Sequence, residues 1–146
     1  MSDVVVYEVS ERIATITLNR PEARNALSSE VLRLLPQRMR EADADAEVDV
    51  VILTGSDPAF CAGLDLKELG STGGNLGATG ADGRPNRDGV RGPFPAMTKP
   101  VIGAVNGVAI TGGFELALGC DVIYASTNAR FADTHTRIGI MPGWGL

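Results

Sequence analysis

Glu115 is the only charged residue between Val101 and Cys120, and it directly follows Gly112, Gly113 and Phe114. A carboxylate in apolar surroundings is costly unless a partner or a reaction uses it. One use is general-base catalysis, in which the carboxylate accepts a proton from water and accelerates a reaction by about 10²–10⁴. The alternative role is structural, since an acidic side chain in the first turn of a helix complements the helix dipole.

Two stretches share a design that could stabilise a developing negative charge. They are "AFCAGLDL", residues 59–66, and "AITGGFEL", residues 109–116. In each, an apolar strand passes through a glycine turn into the start of a helix, where backbone N–H groups lack partners. Two such turns facing each other would form an oxyanion hole, in which one donor contributes roughly 3–4 kcal/mol to the stabilisation of a transition state.

The N-terminal half contains the elements that must support the first of these turns. Residues 4–9 and 13–18 are β-rich runs that predict a hairpin, and "NRPEARNALS" predicts a loop. A helix is expected from about Ser28, with an apolar face formed by Val31, Leu32, Leu35 and Met39, and with Pro36 kinking or splitting it. A buried strand at 50–55 and a short helix from about Leu64 follow.

The remainder of the chain supplies the second turn. Residues 70–93 are rich in Gly and polar residues, which predicts a mobile loop. A buried strand should then lead to a helix that begins at the paired glycines and ends at Gly119, followed by a strand in "DVIYAS". Strands and short helices alternate throughout, so the predicted class is α/β.

Composition excludes several kinds of function. A net charge of −5 and the absence of a Lys/Arg cluster argue against a nucleic-acid partner. Two cysteines are too few for a disulfide framework and lack metal-ligand spacing. The N-terminus does not look like a signal peptide, and the apolar stretch 101–120 holds Asn106, Glu115 and five glycines. We therefore expect a cytoplasmic protein with no membrane partner.

Four segments carry a resemblance to a known family: "LNRPEARNALS" at 18–28, "VVILTGSDPAFCAGLDLKEL" at 50–69, "KPVIGAVNGVAITGGFELALGCDVIYAS" at 99–126 and "ARFADTHTRIGIMPGWGL" at 129–146. In order and spacing the chain resembles the crotonase (enoyl-CoA hydratase/isomerase) superfamily. The resemblance implies one domain over 1–146, built as a spiral of ββα units that binds an acyl-CoA thioester. It also implies no metal or redox cofactor, because coenzyme A is part of the substrate, and a homotrimer or hexamer at full length. Family members are longer, so their C-terminal helices are expected to be absent from this chain.

The resemblance also assigns roles to residues. The backbone N–H groups of Ala62 and Gly112 correspond to the two oxyanion donors, and Glu115 falls on the catalytic glutamate position. The turn expected to lie along coenzyme A comprises Phe60, Cys61, Ala62, Gly63, Leu64, Asp65 and Leu66. Trp144 is expected in the core or in the acyl pocket. Structural roles remain open for Cys61, as a packing residue, and for Asp65, as a helix cap.

One departure leaves the reaction open. Where two-glutamate hydratases have their second glutamate, this chain has His135, its only histidine, and the nearest carboxylate is Asp133. The leading interpretation is a hydratase that adds water to a trans-2-enoyl-CoA, with His135 as a second catalytic residue. The alternatives are a Δ3,Δ2-enoyl-CoA isomerase, which can work with a single carboxylate, and a non-catalytic acyl-CoA binder.

Overall fold

The computed structural model describes residues 3–72 and 92–146, which form an α/β fold with two sheets. The larger sheet has five strands, in the order Val5–Ser10 (β1), Ile13–Leu18 (β2), Val50–Gly55 (β3), Val101–Val105 (β5) and Val122–Ala125 (β7). The smaller sheet has three strands, in the order Ala59–Cys61 (β4), Val108–Ile110 (β6) and Arg130–Ala132 (β8). Most of the segment predicted to be a mobile loop, 70–93, lies outside the described residues, although residues 70 and 71 are helical.

The chain starts with a hairpin and a helix. Strands β1 (Val5–Ser10) and β2 (Ile13–Leu18) pair antiparallel around a two-residue turn, and a short 3-10 helix, Pro21–Ala23, lies in the loop that follows. Helix α1 (Ser29–Ala44) is capped by Ser28, whose hydroxyl accepts a hydrogen bond from the N–H of Val31. The predicted hairpin and helix start are thereby confirmed.

Three ββα units follow, and each places one strand in each sheet before its helix. Their elements are β3 (Val50–Gly55), β4 (Ala59–Cys61) and α2 (Leu66–Ser71); β5 (Val101–Val105), β6 (Val108–Ile110) and α3 (Gly112–Leu118); β7 (Val122–Ala125), β8 (Arg130–Ala132) and α4 (His135–Ile138). All pairings after the first hairpin are parallel. This repetition is the predicted spiral.

The core lies between α1 and the larger sheet and continues to the smaller sheet. Helix α1 buries the face predicted from sequence, together with Ala42, and Pro36 does not split it. Phe60 of β4 is the largest of the fully buried side chains. No helix in the described ranges is long and apolar enough to cross a membrane.

One predicted helix boundary needs correction, and another is confirmed. The short helix expected from about Leu64 begins at Leu66, because Asp65 caps it by accepting hydrogen bonds from the N–H groups of Lys67 and Glu68. Gly119 ends α3 as predicted, but with φ of −73° it is not in a left-handed conformation. A Cβ at this position would lie 2.7 Å from the ring of Phe94, so packing explains the glycine.

Candidate active site

The three strands of the smaller sheet all deliver residues to the same place. Strand β4 leads into the Gly63 turn, β6 leads through Thr111 to Gly112, and β8 leads through Asp133 to His135. Because the strands are parallel, their carboxyl ends lie at one edge of the sheet, which is where open α/β sheets commonly bind ligands. Segments more than 20 residues apart in the chain are brought together in this way.

Glycines allow the two predicted turns to pack against each other. A Cβ on Gly63 would lie 3.4 Å from the backbone nitrogen of Gly112, and one on Gly113 would lie only 2.1 Å from the carbonyl oxygen of Cys61. Gly63 also has a φ of +88°, which side chains rarely allow. The predicted juxtaposition of the two turns is therefore present in the structure.

The prediction for Ala62 is wrong in this structure. Its N–H donates to the carbonyl oxygen of Arg24 at 3.0 Å and is not available to a substrate. The carbonyl oxygen of Gly63 accepts a hydrogen bond from the N–H of Leu27, and the N–H of Asp65 donates to the carbonyl oxygen of Leu27. The N–H of Leu64, which lies between these two residues, therefore points away from Leu27. Within the described residues the Leu64 N–H makes no hydrogen bond.

The role of Gly112 as an oxyanion donor stays a prediction. It is the first residue of α3, where backbone N–H groups have no intrahelical acceptor. Leu64 and Gly112 line the same cavity, whereas Ala62 lines a different cleft. Leu64 and Gly112, and not Ala62 and Gly112, are thus the two turn residues that line one cavity.

Glu115 is buried, with 4% of its surface exposed, and both its carboxylate oxygens have neighbours. Oε1 accepts hydrogen bonds from the N–H groups of Trp144, at 2.7 Å, and Leu146, at 3.3 Å. Oε2 lies 3.4 Å from Nε2 of His135. The hydrogen bonds to Oε1 fix the orientation of the carboxylate, so that Oε2 faces the imidazole of His135.

His135 is equally buried and lies between two carboxylates. Its Nδ1 is 2.6 Å from Oδ1 of Asp133, which also accepts the backbone N–H of His135 at 3.0 Å. These backbone and side-chain hydrogen bonds lower the pKa of Asp133. The structure therefore brings the two predicted catalytic side chains together and adds Asp133 on the far side of the ring.

A cavity of about 20 Å³ lies beside Glu115 and His135, and it is large enough for one water molecule. It is lined by Leu64, Gly112, Glu115, His135, Ile140, Met141, Gly143 and Trp144. Trp144 therefore lies at the site, as expected, and it also packs against the core. Its indole nitrogen is buried and has no partner within the described residues.

A neighbouring open cleft of about 450 Å³ reaches the Gly63 turn from the other side. Its lining includes Ala62, Leu64, Asp65 and Leu66 from the predicted coenzyme A turn. Phe60 and Cys61 do not take part, because both side chains are fully buried in the core, and burial raises the pKa of the Cys61 thiol to about 12. Their predicted binding role is corrected to packing.

The cleft also has basic side chains that the sequence analysis did not single out. Arg20, Arg24 and Lys67 line it. Arg20 is held by the carboxylate of Asp65 at 2.9 Å and by the carbonyl oxygen of Ala26. In the sequence, Arg20 and Arg24 stand in the "NRPEARNALS" loop, far from Lys67, so only the fold shows that they share a surface.

Thr111 is a further residue at the site that no sequence pattern marks. Its φ of +55° is unusual for a β-branched residue and marks local strain. The hydroxyl lies 2.6 Å from that of Thr134, and the Thr111 N–H donates to Ala132 O. These bonds join the start of α3 to the loop that carries Asp133 and His135.

Comparisons with known proteins agree with this architecture. The family model described as enoyl-CoA hydratase/isomerase matches residues 8–146. The chain is 44% identical to a probable peroxisomal enoyl-CoA hydratase 1 of Arabidopsis thaliana, over 98% of this chain and 52% of that protein. It is 42% identical to a 2,3-dehydroadipyl-CoA hydratase of Escherichia coli, over 99% of this chain and 54% of that one.

Solved structures give the same result. A crystal structure of an enoyl-CoA hydratase from Mycobacterium smegmatis matches with a TM-score of 0.82 and 51% identity, covering 99% of this chain and 56% of that one. The chain spans about half the length of the curated relatives it matches. With its spiral of ββα units and the family model matched along nearly its whole length, the chain belongs to the enoyl-CoA hydratase/isomerase family of the crotonase superfamily.

Proposed function

We propose that this protein is an enoyl-CoA hydratase, which adds water to a trans-2-enoyl-CoA to give the 3-hydroxyacyl-CoA. The observation that carries the proposal is the position of His135. It stands 3.4 Å from Glu115 in a buried cavity that the N–H-bearing residues Leu64 and Gly112 also line. Hydration needs one group that takes a proton from water and one that gives a proton to carbon, and this arrangement supplies both.

The chemistry is assigned to the groups as follows. The Glu115 carboxylate accepts a proton from water while the water oxygen bonds to the β-carbon of the enoyl group. The electron pair of the double bond moves to the thioester oxygen, where the N–H groups of Leu64 and Gly112 stabilise the enolate. Protonated His135 then delivers a proton from Nε2 to the α-carbon.

The same geometry allows Glu115 and His135 to return to their starting protonation states after each turnover. After one turnover Glu115 holds the proton taken from water, and His135 has lost one. Because Oε2 and Nε2 are only 3.4 Å apart, the proton can return from the carboxyl group to the imidazole directly. The pair thus carries one proton at the start of each cycle, with no need for exchange with bulk solvent.

The open cleft beside the Gly63 turn suits the remainder of the substrate. Coenzyme A carries phosphates, and Arg24 and Lys67 offer this cleft two basic side chains that can bind them, although the acidic Glu22 and Asp65 also line it. Leu64 lines both the cleft and the cavity, so a thioester could pass from one to the other there. The turn would then lie along the coenzyme, with the exceptions of Phe60 and Cys61.

The isomerase and the non-catalytic binder are the competing functions. An isomerase moves a proton between carbons of one substrate and needs only one carboxylate, so it leaves His135 without a role. A binder needs no proton carriers at all. The paired burial of Glu115 and His135 favours the hydratase over both.

The test measures loss of enoyl absorbance with crotonyl-CoA for the wild type and for Glu115→Gln, His135→Ala and Glu47→Gln. The first two variants should lower kcat by roughly 10²–10⁴ because each removes a proton carrier. Glu47, whose side chain is 82% exposed, serves as the matched control and should not alter the rate.

Each alternative predicts a different result. Isomerisation of a 3-enoyl-CoA by a wild type that does not hydrate crotonyl-CoA would favour the isomerase. Tight binding of acyl-CoA without either turnover would favour the binder. Full hydratase activity in His135→Ala would leave Glu115 as the only proton carrier and remove His135 from the mechanism.

Other features of the whole protein are proposals on the same basis. We propose a homotrimer or hexamer, which light scattering of the purified protein would test, a cytoplasmic location, and chemistry that uses no metal or redox cofactor. The exposed apolar side chains of β7, among them Val122, Ile123 and Tyr124, are compatible with burial in an assembly.

A further inference from the structure

Asp133 contacts the catalytic imidazole on the side that faces away from Glu115. Its Oδ1 lies 2.6 Å from Nδ1 of His135, within the range of a charge-assisted hydrogen bond. Asp133 is ionised at neutral pH, since its bonds to His135 lower its pKa. An ionised carboxylate can only accept, so Nδ1 of His135 must carry a hydrogen.

This contact determines what Nε2 can do. A neutral imidazole carries one hydrogen, and the partner of one ring nitrogen decides which nitrogen holds it. With the hydrogen fixed on Nδ1, Nε2 is the atom that gains and loses protons. Nε2 is also the atom that faces Glu115 and the cavity.

We propose that Asp133 is a positioning residue that holds His135 in the Nδ1–H form, so that every proton exchanged with substrate or with Glu115 passes through Nε2. The proposal rests on the hydratase function for its kinetic consequence, but the tautomer itself is a property of the protein alone. Without Asp133, a neutral ring is free to carry its hydrogen on Nε2 instead.

A merely structural role for Asp133 is the competing explanation. The same Oδ1 accepts the backbone N–H of His135, which orders the turn before α4. Asp133 has a partly exposed side chain, so its replacement leaves no buried cavity. A suitable variant must therefore keep an acceptor for the backbone N–H of His135 and remove only the negative charge beside Nδ1 of its ring.

Asp133→Asn and Asp133→Ser meet this requirement, because both keep an oxygen that can accept the N–H of His135. Asp3→Asn, at an exposed site, is the matched control. The primary readout is the ¹⁵N spectrum of the imidazole as a function of pH. His135 is the only histidine of the chain, so a tag-free sample needs no assignment.

In the wild type and in Asp3→Asn, Nδ1 should keep a protonated-type shift throughout the titration, and only Nε2 should change. In the two Asp133 variants, part of the neutral ring should carry its hydrogen on Nε2, so the Nδ1 shift should move toward the unprotonated value. A wild-type Nδ1 that deprotonates, or Asp133 variants whose spectra match the wild type, would overturn the proposal.

The kinetic readout separates positioning from folding. Asp133→Asn should lower kcat for crotonyl-CoA hydration on the order of 10- to 100-fold, with KM changed by no more than about twofold. A variant with altered ¹⁵N shifts but wild-type kcat would also overturn the proposal. A wild type with no hydratase activity would instead refute the proposed function, and the spectra would still decide the role of Asp133.

Discussion

Asp65 connects the loop before α1 to the start of α2. Its Oδ1 accepts the N–H groups of Lys67 and Glu68, and its Oδ2 accepts a hydrogen bond from Arg20. Burial acts to raise its pKa, but the bonds to Arg20 and to the two N–H groups outweigh burial and lower it. The carboxylate is therefore more stable in the folded protein than in the unfolded chain.

This shift predicts how stability depends on pH. Because the folded pKa lies below the unfolded value near 3.9, the stabilisation is complete above that value and is lost as pH falls through the folded pKa. Asp65→Asn, which keeps a capping oxygen, should reduce the free energy of unfolding by about 1 kcal/mol at pH 7. Urea unfolding should show this difference shrinking below about pH 4, with Asp3→Asn unaffected. A difference independent of pH would contradict the role of the charge.

Some of the site could be predicted residue by residue, and some could not. Glu115 stands out in the sequence as the one carboxylate of an apolar stretch, whereas the role expected of Gly112 comes from the family resemblance. The sequence does not show whether Ala62 or Leu64 has the free N–H group, because this depends on which of the two donates to the carbonyl oxygen of Arg24. That contact joins segments nearly 40 residues apart, and no local pattern records it.

Among the elements, α3 and β4 show the tightest packing at the site. Gly113 lies against the backbone of Cys61, so any side chain there would push α3 away from β4. Gly70 occupies a helical position in α2 with nothing within 4 Å of an added Cβ. The two glycines form a natural pair for comparison.

Gly113→Ala and Gly70→Ala should have opposite effects on stability. The first should lower the free energy of unfolding by about 3 kcal/mol, because the carbonyl it meets is rigid backbone. The second should raise it by roughly 0.5–1 kcal/mol, since alanine loses less entropy in a helix. Thermal unfolding measures the change in stability of both variants. Equal changes would show that a Cβ at position 113 does not clash with the backbone of Cys61.

The elements were more predictable than their contacts. The apolar face of α1, the hairpin and the cap at Ser28 follow from periodicity and capping rules that act within a few residues. Pro36 is expected to kink or split α1, and the helix continues past it without a split, with Leu32 and Leu35 of its buried face packed in the core. Tertiary packing there outweighed the local preference.

At the scale of the whole molecule, one thiol is enclosed by the fold and the other is partly buried. Cys61 is fully buried in the core, and Cys120 donates to the carbonyl oxygen of Leu116. Burial raises the pKa of each to about 12, with a further contribution from Asp121 at Cys120. Both are therefore present as thiols, not thiolates, at neutral pH.

Alkylation should accordingly report on global unfolding. At pH 8 iodoacetamide should modify both cysteines about 10³-fold more slowly in the folded protein than in urea, because the thiolate is the reactive form. Mass spectrometry of peptides distinguishes the two positions. Rapid modification of Cys120 alone would show that α3 opens at its end without the rest of the fold.

The division of the site among three successive ββα units has a consequence for biosynthesis. The chain emerges from the ribosome in order, so Leu64 and Gly112 are translated before Asp133 and His135. Strands β4 and β6 can pair, and bring the two N–H donors together, while β8 is still missing. The two proposed oxyanion donors and one of the two proposed proton carriers, Glu115, thus precede the other, His135, and the nascent chain can assemble all but the last of these groups before β8 is made.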